Sequence, residues 1–317
     1  MRPLVFGALA SFLLFHAFPA SAWNASGHRV IALIAWDRLD PAAKREAAKI
    51  LRAHPDFASW TKRARGQNLD EVAFIEASTW PDDIRRDKRF HSDRKSGDAK
   101  PDAPLPGFPD MARHADWHFK NIPFGKSRKG GKKTPPAAPT LPRYIRPGRL
   151  DERLRQMSED LAPDKAPLAQ RAFALPWVIH LAGEAHQPLH TAYRVDRPKL
   201  VVKNAFNPRK PTSTLHAFWD DLPAPSRLRG KALRDAVDAL TATYPRSAFR
   251  NLSAPSDAWV EESWRIARAR AYPPDADGET VTKAFFESSH DTARRRTVEA
   301  GYRLALLLNR QLAPRAD

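Results

Sequence analysis

The stretch HLAGEAHQPLH, residues 180–190, decides how the rest of this chain is read. It packs three histidines and one glutamate into eleven residues, directly after the apolar run AFALPWVI. His180 and Glu184 are four residues apart, so a helix sets both on one face. Pro188 has no N–H to continue that helix and ends it. His190 lies just past the break, where the chain can turn it back toward the first pair. LHAFWD (215–220) repeats the His/carboxylate spacing with His216 and Asp220. Cysteine is absent, and His and carboxylate are the donors that hold zinc when thiolates are missing. The first expectation is a zinc cluster.

Working outward, helical spacing governs most of the chain. Val30, Ile31, Leu33, Ile34, Ala35 and Leu39 predict one helix within 23–53, and Asp40-Pro41 opens a second. Further helices are predicted from residue 70 to near Trp80-Pro81, and over 150–161, 167–185, 216–221, 229–243, 255–270 and 281–309. ADWHFKNIP (115–123) reads as short, extended or irregular. Residues 91–113, 124–149 and 196–213 read as loops rich in Pro, Gly or basic residues. No strand is predicted, and no repeat beyond the two His pairs. The expected class is all-α in a single domain, since 317 residues with 42% apolar can bury one large core.

The chain carries 53 Lys+Arg against 36 Asp+Glu, a formal charge of +17. That field suits an anionic partner such as nucleic acid, a phosphorylated substrate or a membrane surface, although charge alone selects none of them. Residues 1–22 read as a cleavable signal peptide: Arg2, an apolar run from Val5 to Phe18, then Ala20-Ser21-Ala22. The apolar run is too short to span a bilayer comfortably. A secreted or periplasmic monomer without stable membrane insertion is expected, with 23–317 as the catalytic domain. Cleavage after Ala22 exposes Trp23, whose α-amine and carbonyl make a compact N,O chelate. Without disulfides, core burial and bound metal have to stabilise the exported chain.

The candidate ligands in chain order are Trp23, His28, Asp82, His118, His180, Glu184, His190, His216 and Asp220. Taken with their contexts, Trp23…GHR (27–29), TWPDDIR (79–85), WHF (117–119), HLAGEAHQPLH, LHAFWD and the closing GYRLALLLN, they resemble the S1/P1 nuclease family. The resemblance runs in order through nearly the whole chain after residue 22. It implies a helical phospholipase C/P1 nuclease-like fold around a trinuclear zinc cleft. It further implies hydrolysis of single-stranded DNA and RNA to 5′-phosphorylated products, with 3′-nucleotidase activity. Zinc-dependent phospholipases C share that fold.

Carried over by motif, one zinc ion takes Asp82, His118, His180 and Glu184. A neighbouring ion takes the Trp23 amine and carbonyl, His28 and the shared Glu184. A third ion takes His190, His216 and Asp220. The W-H-F context selects His118 over His114, and the W-P-D-x-x-R spacing selects Asp82 over Asp83. Arg85 matches the phosphate-contacting arginine, Phe119 the base-stacking aromatic, and Asn121 the polar residue that reads the base. Asp82, Arg85 and Glu184 are the expected catalytic residues, with a water activated by the paired ions as nucleophile. A stacking platform accepts any base and favours unpaired strands.

Two positions depart from the family pattern. Glu184 stands where an Asp is usual, and VDRPKLVVKNAFNPRKPTST replaces a Gly-Gly-Asn segment. His186 reads as a supporting or structural residue, His54, His91 and His290 as surface residues, and Trp177 and Trp219 as packing beside the site. Two other functions stay open at this level. One is a phospholipase C-like phosphoesterase, which needs an apolar mouth or choline pocket; the other is a non-catalytic zinc- or polyanion-binding protein.

The N-terminal chelate makes a direct prediction. A protein with one extra residue ahead of Trp23 has an amide in place of the α-amine and is expected to bind less zinc. Equal zinc content in the extended and correctly cleaved proteins would remove Trp23 from the ligand set.

Overall fold

The computed structural model describes residues 23–62, 64–93, 104–126, 138–225, 227–274 and 279–313. The signal peptide expected at 1–22 lies outside them, as does part of the basic loop at 124–149. The fold is all-α. Among the described residues eleven helices run as α1 (Ala25–Trp36), α2 (Pro41–Arg52), α3 (Phe57–Thr61), α4 (Leu69–Ala77), α5 (Trp80–Asp83), α6 (Leu150–Asp160), α7 (Leu168–Glu184), α8 (Leu215–Asp220), α9 (Gly230–Thr243), α10 (Ser256–Arg270) and α11 (Lys283–Leu312).

Four three-residue strands among the described residues were not expected: β1 (Ile122–Phe124), β2 (Ala192–Arg194), β3 (Val201–Lys203) and β4 (Thr212–Thr214). Three residues cannot display the alternation that marks a strand in sequence. β1 and β2 pair in parallel with Ile122 opposite Ala192, and β3 and β4 pair antiparallel with Val201 opposite Thr214. β1 begins four residues after His118 and β2 two residues after His190, so the pairing ties two candidate ligand segments together.

α7 is the axis of the molecule. Every residue from Arg171 to Glu184 is buried. Phe173, Leu175, Trp177, Val178, Ile179 and Leu181 surround it on all faces, the pattern of a core helix rather than a surface one. Pro176 sits inside it, where it removes one internal hydrogen bond. α1 approaches α7 closely because Gly183 has no side chain; a Cβ there would lie 2.9 Å from His28 Nδ1. The N-terminus of α1 is fixed by Asn24, whose side chain accepts from the N–H groups of Ser26 and Gly27. On its other side α1 meets α11, where Gly301 lies directly under Ile34.

Trp177 and Trp219 are fully buried. The surface reading of His54 is corrected: it is 3% exposed, stacked on Trp60 and edge-on to Trp80, and its Nδ1 accepts from the Asp56 N–H. His54 precedes Pro55 in a turn without helical periodicity, so only the aromatic neighbours brought from α3, α5 and residue 108 bury it. His91 and His290 are half-buried rather than exposed, and His290 stacks on Phe286.

Burial, helped by the nearby Arg89 charge, pushes the His54 imidazole down from 6.5 to about 3. Between those values the unfolded chain carries the proton and the folded one does not. The stabilisation is therefore complete above pH 6.5 and is lost as pH falls toward 3, by about 1.4 kcal/mol per pH unit at most. Denaturant titrations at pH 7 and pH 5 should show a smaller loss of stability on acidification for His54→Phe than for the wild type. An identical loss would mean that His54 is not the buried neutral group described.

Candidate metal centre

α7 presents His180 and Glu184 one turn apart, with Nε2 and Oε1 2.7 Å from each other. His180 Nδ1–H donates to the Ser78 carbonyl at 2.8 Å, which turns Nε2 toward the cluster. His28 enters from α1, its ring stacked on His180 at 4.1 Å and its Nε2 3.5 Å from Glu184 Oε1. A 3-10 turn over Ala115–His118 delivers His118, whose Nδ1 lies 3.0 Å from His180 Nε2 and 3.7 Å from Glu184 Oε1. Asp82 comes from α5, where Pro81 occupies the first turn, and its Oδ1 is 3.9 Å from His118 Nδ1.

The second half lies past the end of α7. His190 Nδ1–H donates to the His118 carbonyl at 2.8 Å, so Nε2 faces His216 Nε2 at 2.7 Å. Asp220 Oδ2 is 3.7 Å from His216 Nε2. Among the described residues three donor groups could each hold an ion, with their ligand atoms within 4.8 Å: His28, Asp82 and His180; His118, His180 and Glu184; His190, His216 and Asp220. The third group is the expected set. The first two are one continuous cluster joined at His180. Glu184 Oε2 also touches His190 Nδ1, so this carboxylate stands between the halves. Trp23 is buried, and the next residue, Asn24, donates its N–H to the Asp220 carbonyl at 2.9 Å, fastening the start of α1 beside the third group.

These residues fit a divalent cation. Both ring nitrogens of His28 and Nε2 of His118 are buried without a hydrogen bond, and the buried Glu184 carboxylate is faced by four imidazoles. Burial, with the Arg85 charge adding to it, pushes His118 down to about 3. Burial, with His190 beside it, does the same to His216. Burial also lowers His28. Three imidazoles are thus held neutral with lone pairs available, the form a metal needs. Burial opposes the charge on Glu184, yet His190 and His180 hold its carboxyl well below the usual carboxylate range. For Asp220 burial wins and pushes the group well above its ordinary value. Nitrogen and oxygen donors in this proportion suit zinc.

Gln187 was not singled out from the sequence. It is fully buried; its Nε2–H donates to Asp220 Oδ1 at 2.7 Å, and its Oε1 accepts from the Leu189 N–H at 2.6 Å. Its only sequence signal is its place inside the ligand stretch. His186 is structural, as one of its two readings held. Its Nδ1–H donates to the Ala182 carbonyl, and its Nε2 accepts from Arg303 at 3.1 Å. Arg303 is 1% exposed and pairs with Glu262 and Glu299, while Ser263 Oγ donates to the Ala185 carbonyl at 2.6 Å. α10 and α11 therefore hold the last carbonyls of α7 and the turn that carries Gln187 and His190.

Arg85 Nη1 lies 3.1 Å from Asp82 Oδ1. Asp83 accepts from the Thr79 hydroxyl. His114 turns away, stacking on Trp117 and pairing with Asp110. Phe119 is half-buried in extended backbone, with its carbonyl accepting from the Leu150 N–H. Gly148, at φ +76°, packs so closely on Phe119 that a Cβ would overlap it. The Asn121 side-chain N–H is already used on the Arg146 carbonyl at 2.8 Å.

A helical scaffold that gathers imidazoles and carboxylates into one cluster is suited to hold metal ions. The S1/P1 Nuclease family model matches residues 23–313, and the chain belongs to that family. It is a nuclease by that membership. Endonuclease 2 of Arabidopsis thaliana is 24% identical over 311 residues, spanning 94% of this chain and 93% of the relative. Endonuclease 4 of the same plant is 29% identical over 150 residues, 43% of this chain and 50% of the relative.

Gln187→Leu keeps the bulk of the side chain and frees Asp220 Oδ1. Zinc titration against a competing chelator should show the weakest ion bound about 10- to 100-fold less tightly, the usual cost of losing a residue that orients a ligand. Unchanged affinity would mean that Asp220 is positioned by its backbone alone.

Proposed function

We propose that this protein is a zinc-dependent nuclease that cleaves single-stranded DNA and RNA to 5′-phosphorylated products and removes 3′-phosphates from nucleotides. In this reading it is exported, and three zinc ions are held as the family resemblance assigns them. Asp82, His118, His180 and Glu184 hold one ion. The Trp23 amine and carbonyl with His28 and Glu184 hold its neighbour, and His190, His216 and Asp220 hold the third. The observation that carries the reading is the gathering of His28, Asp82, His118, His180 and Glu184 into one cluster, with His190, His216 and Asp220 beside it. Bound, the ions supply Lewis acidity toward phosphate oxygens and a water of lowered pKa.

The chain's own residues do the rest. Arg85, held beside Asp82, offers charge-assisted hydrogen bonds to a phosphodiester whose negative charge grows during attack. Glu184, fixed between the two halves, sets their separation. Phe119 offers a ring face to an unpaired base. A base in a duplex cannot reach such a platform without leaving its partner, which favours single strands. Asn121 spends one side-chain N–H on the Arg146 carbonyl and keeps its amide oxygen for a base edge. The phospholipase C-like alternative loses ground to the family membership.

A panel of single-stranded DNA, RNA, 3′-AMP and phosphatidylcholine tests this, together with zinc analysis. The wild type should cleave the first three and lose activity and thermal stability in EDTA. Arg85→Ala should lower kcat about 100- to 1000-fold with zinc content kept. Hydrolysis of phosphatidylcholine with no action on nucleic acid would sink the nuclease substrate reading.

A further inference from the structure

Tyr144 is the most exposed large apolar side chain among the described residues, 79% open to solvent. An exposed aromatic normally sits on a loose tip, but this one is fastened. Its hydroxyl hydrogen-bonds with that of Tyr193, the central residue of β2 and the third after His190. Two residues on, the Arg146 carbonyl accepts from the Asn121 side chain, and the Pro147 carbonyl accepts from the Asn121 N–H. Gly148 then packs against Phe119. The segment 144–148 is thus pinned on one side to the residues beside the candidate base platform and on the other to the strand leaving the third donor group. The register of β1 on β2, with Pro123 opposite Tyr193, places the two anchors side by side.

The surroundings are basic. Arg143, the residue before Tyr144, is exposed. Arg146 and Lys120 pair with Asp116 and Asp151, which holds the loop and its base together without covering Tyr144. A ring that is open, held by its rim and bordered by cations suits a flat anionic polymer unit. Stacking on such a ring is sequence-tolerant because every base has a π-face.

We infer that Tyr144, braced by Tyr193, is a second base-stacking platform that binds the nucleotide flanking the one held at Phe119. The inference rests on the single-strand nuclease reading above. It assigns the 138–149 loop to substrate binding and makes affinity depend on bases outside the cleaved nucleotide.

The test compares two hexanucleotides on the zinc-loaded full chain. One is hexathymidylate. The other has the same length and charge but keeps a single base, with abasic linkers elsewhere. The wild type should show a KM at least about fivefold lower for hexathymidylate, the lower end of what one stacked base contributes. Tyr144→Ala should bring the ratio of the two KM values close to one, and Tyr144→Trp should restore it. A wild-type ratio kept in Tyr144→Ala, or not restored in Tyr144→Trp, would overturn the second platform. A wild type that cleaves neither strand would overturn the nuclease reading, and this inference with it.

Discussion

Glu184 is a carboxylate with no solvent contact, and its neighbours are imidazoles rather than amide or hydroxyl donors. A buried charge is tolerable only when something opposite in sign sits against it. In this protein the opposite sign has to come from protons on His190 and His180 or from cations among the same groups. Every element around the site follows from that requirement. α1, α5, the 3-10 turn at 115–118, the turn after α7 and α8 each bring one or two donors toward the same carboxylate or its flanks.

The scaffold spends much of its own polarity on holding these donors still. His180 is oriented by the Ser78 carbonyl and His190 by the His118 carbonyl, so in each ring the other nitrogen faces the cluster. Gln187 fixes one oxygen of Asp220 and leaves the other toward His216. Behind them Arg296 and Arg303 of α11, with Glu262 and Ser263 of α10, bind the end of α7 through a buried network. Buried arginines are costly unless paired, and here their pairing with Glu262 and Glu299 serves to lock the turn between Glu184 and His190. The tight passage of Gly183 past His28 serves the same end, since any side chain there would drive α1 away from the cluster.

The substrate side is built on different physics. Phe119 sits in extended backbone clamped by Gly148 and the start of α6, and the 144–148 segment is sewn to Asn121 and Tyr193. The net charge of +17 gives the chain a general attraction for polyanions. The metal-facing residues are buried apart from Asp82 and His216, while the base-facing residues are half-buried or open.

The helical class was legible because α7, α1 and α11 carry long apolar patterns and because Pro41 and Pro188 mark a helix start and a break. The candidate donors were legible because i,i+4 spacing puts His180 with Glu184 and His216 with Asp220 whatever the rest of the chain does. The family motifs separated Asp82 from Asp83 and His118 from His114. What stayed hidden depends on contacts between distant segments. β1 and β2 exist only because two donor segments meet. His54 is buried only by aromatics from other elements. Gln187 acquires its role from Asp220, 33 residues away, and Tyr144 from Tyr193 and Asn121. Local spacing fixes which residues share a helix face. Which carboxylate lies between the two halves of the cluster, and which exposed ring lies beside the site, were decided by the packing of α7 against its neighbours.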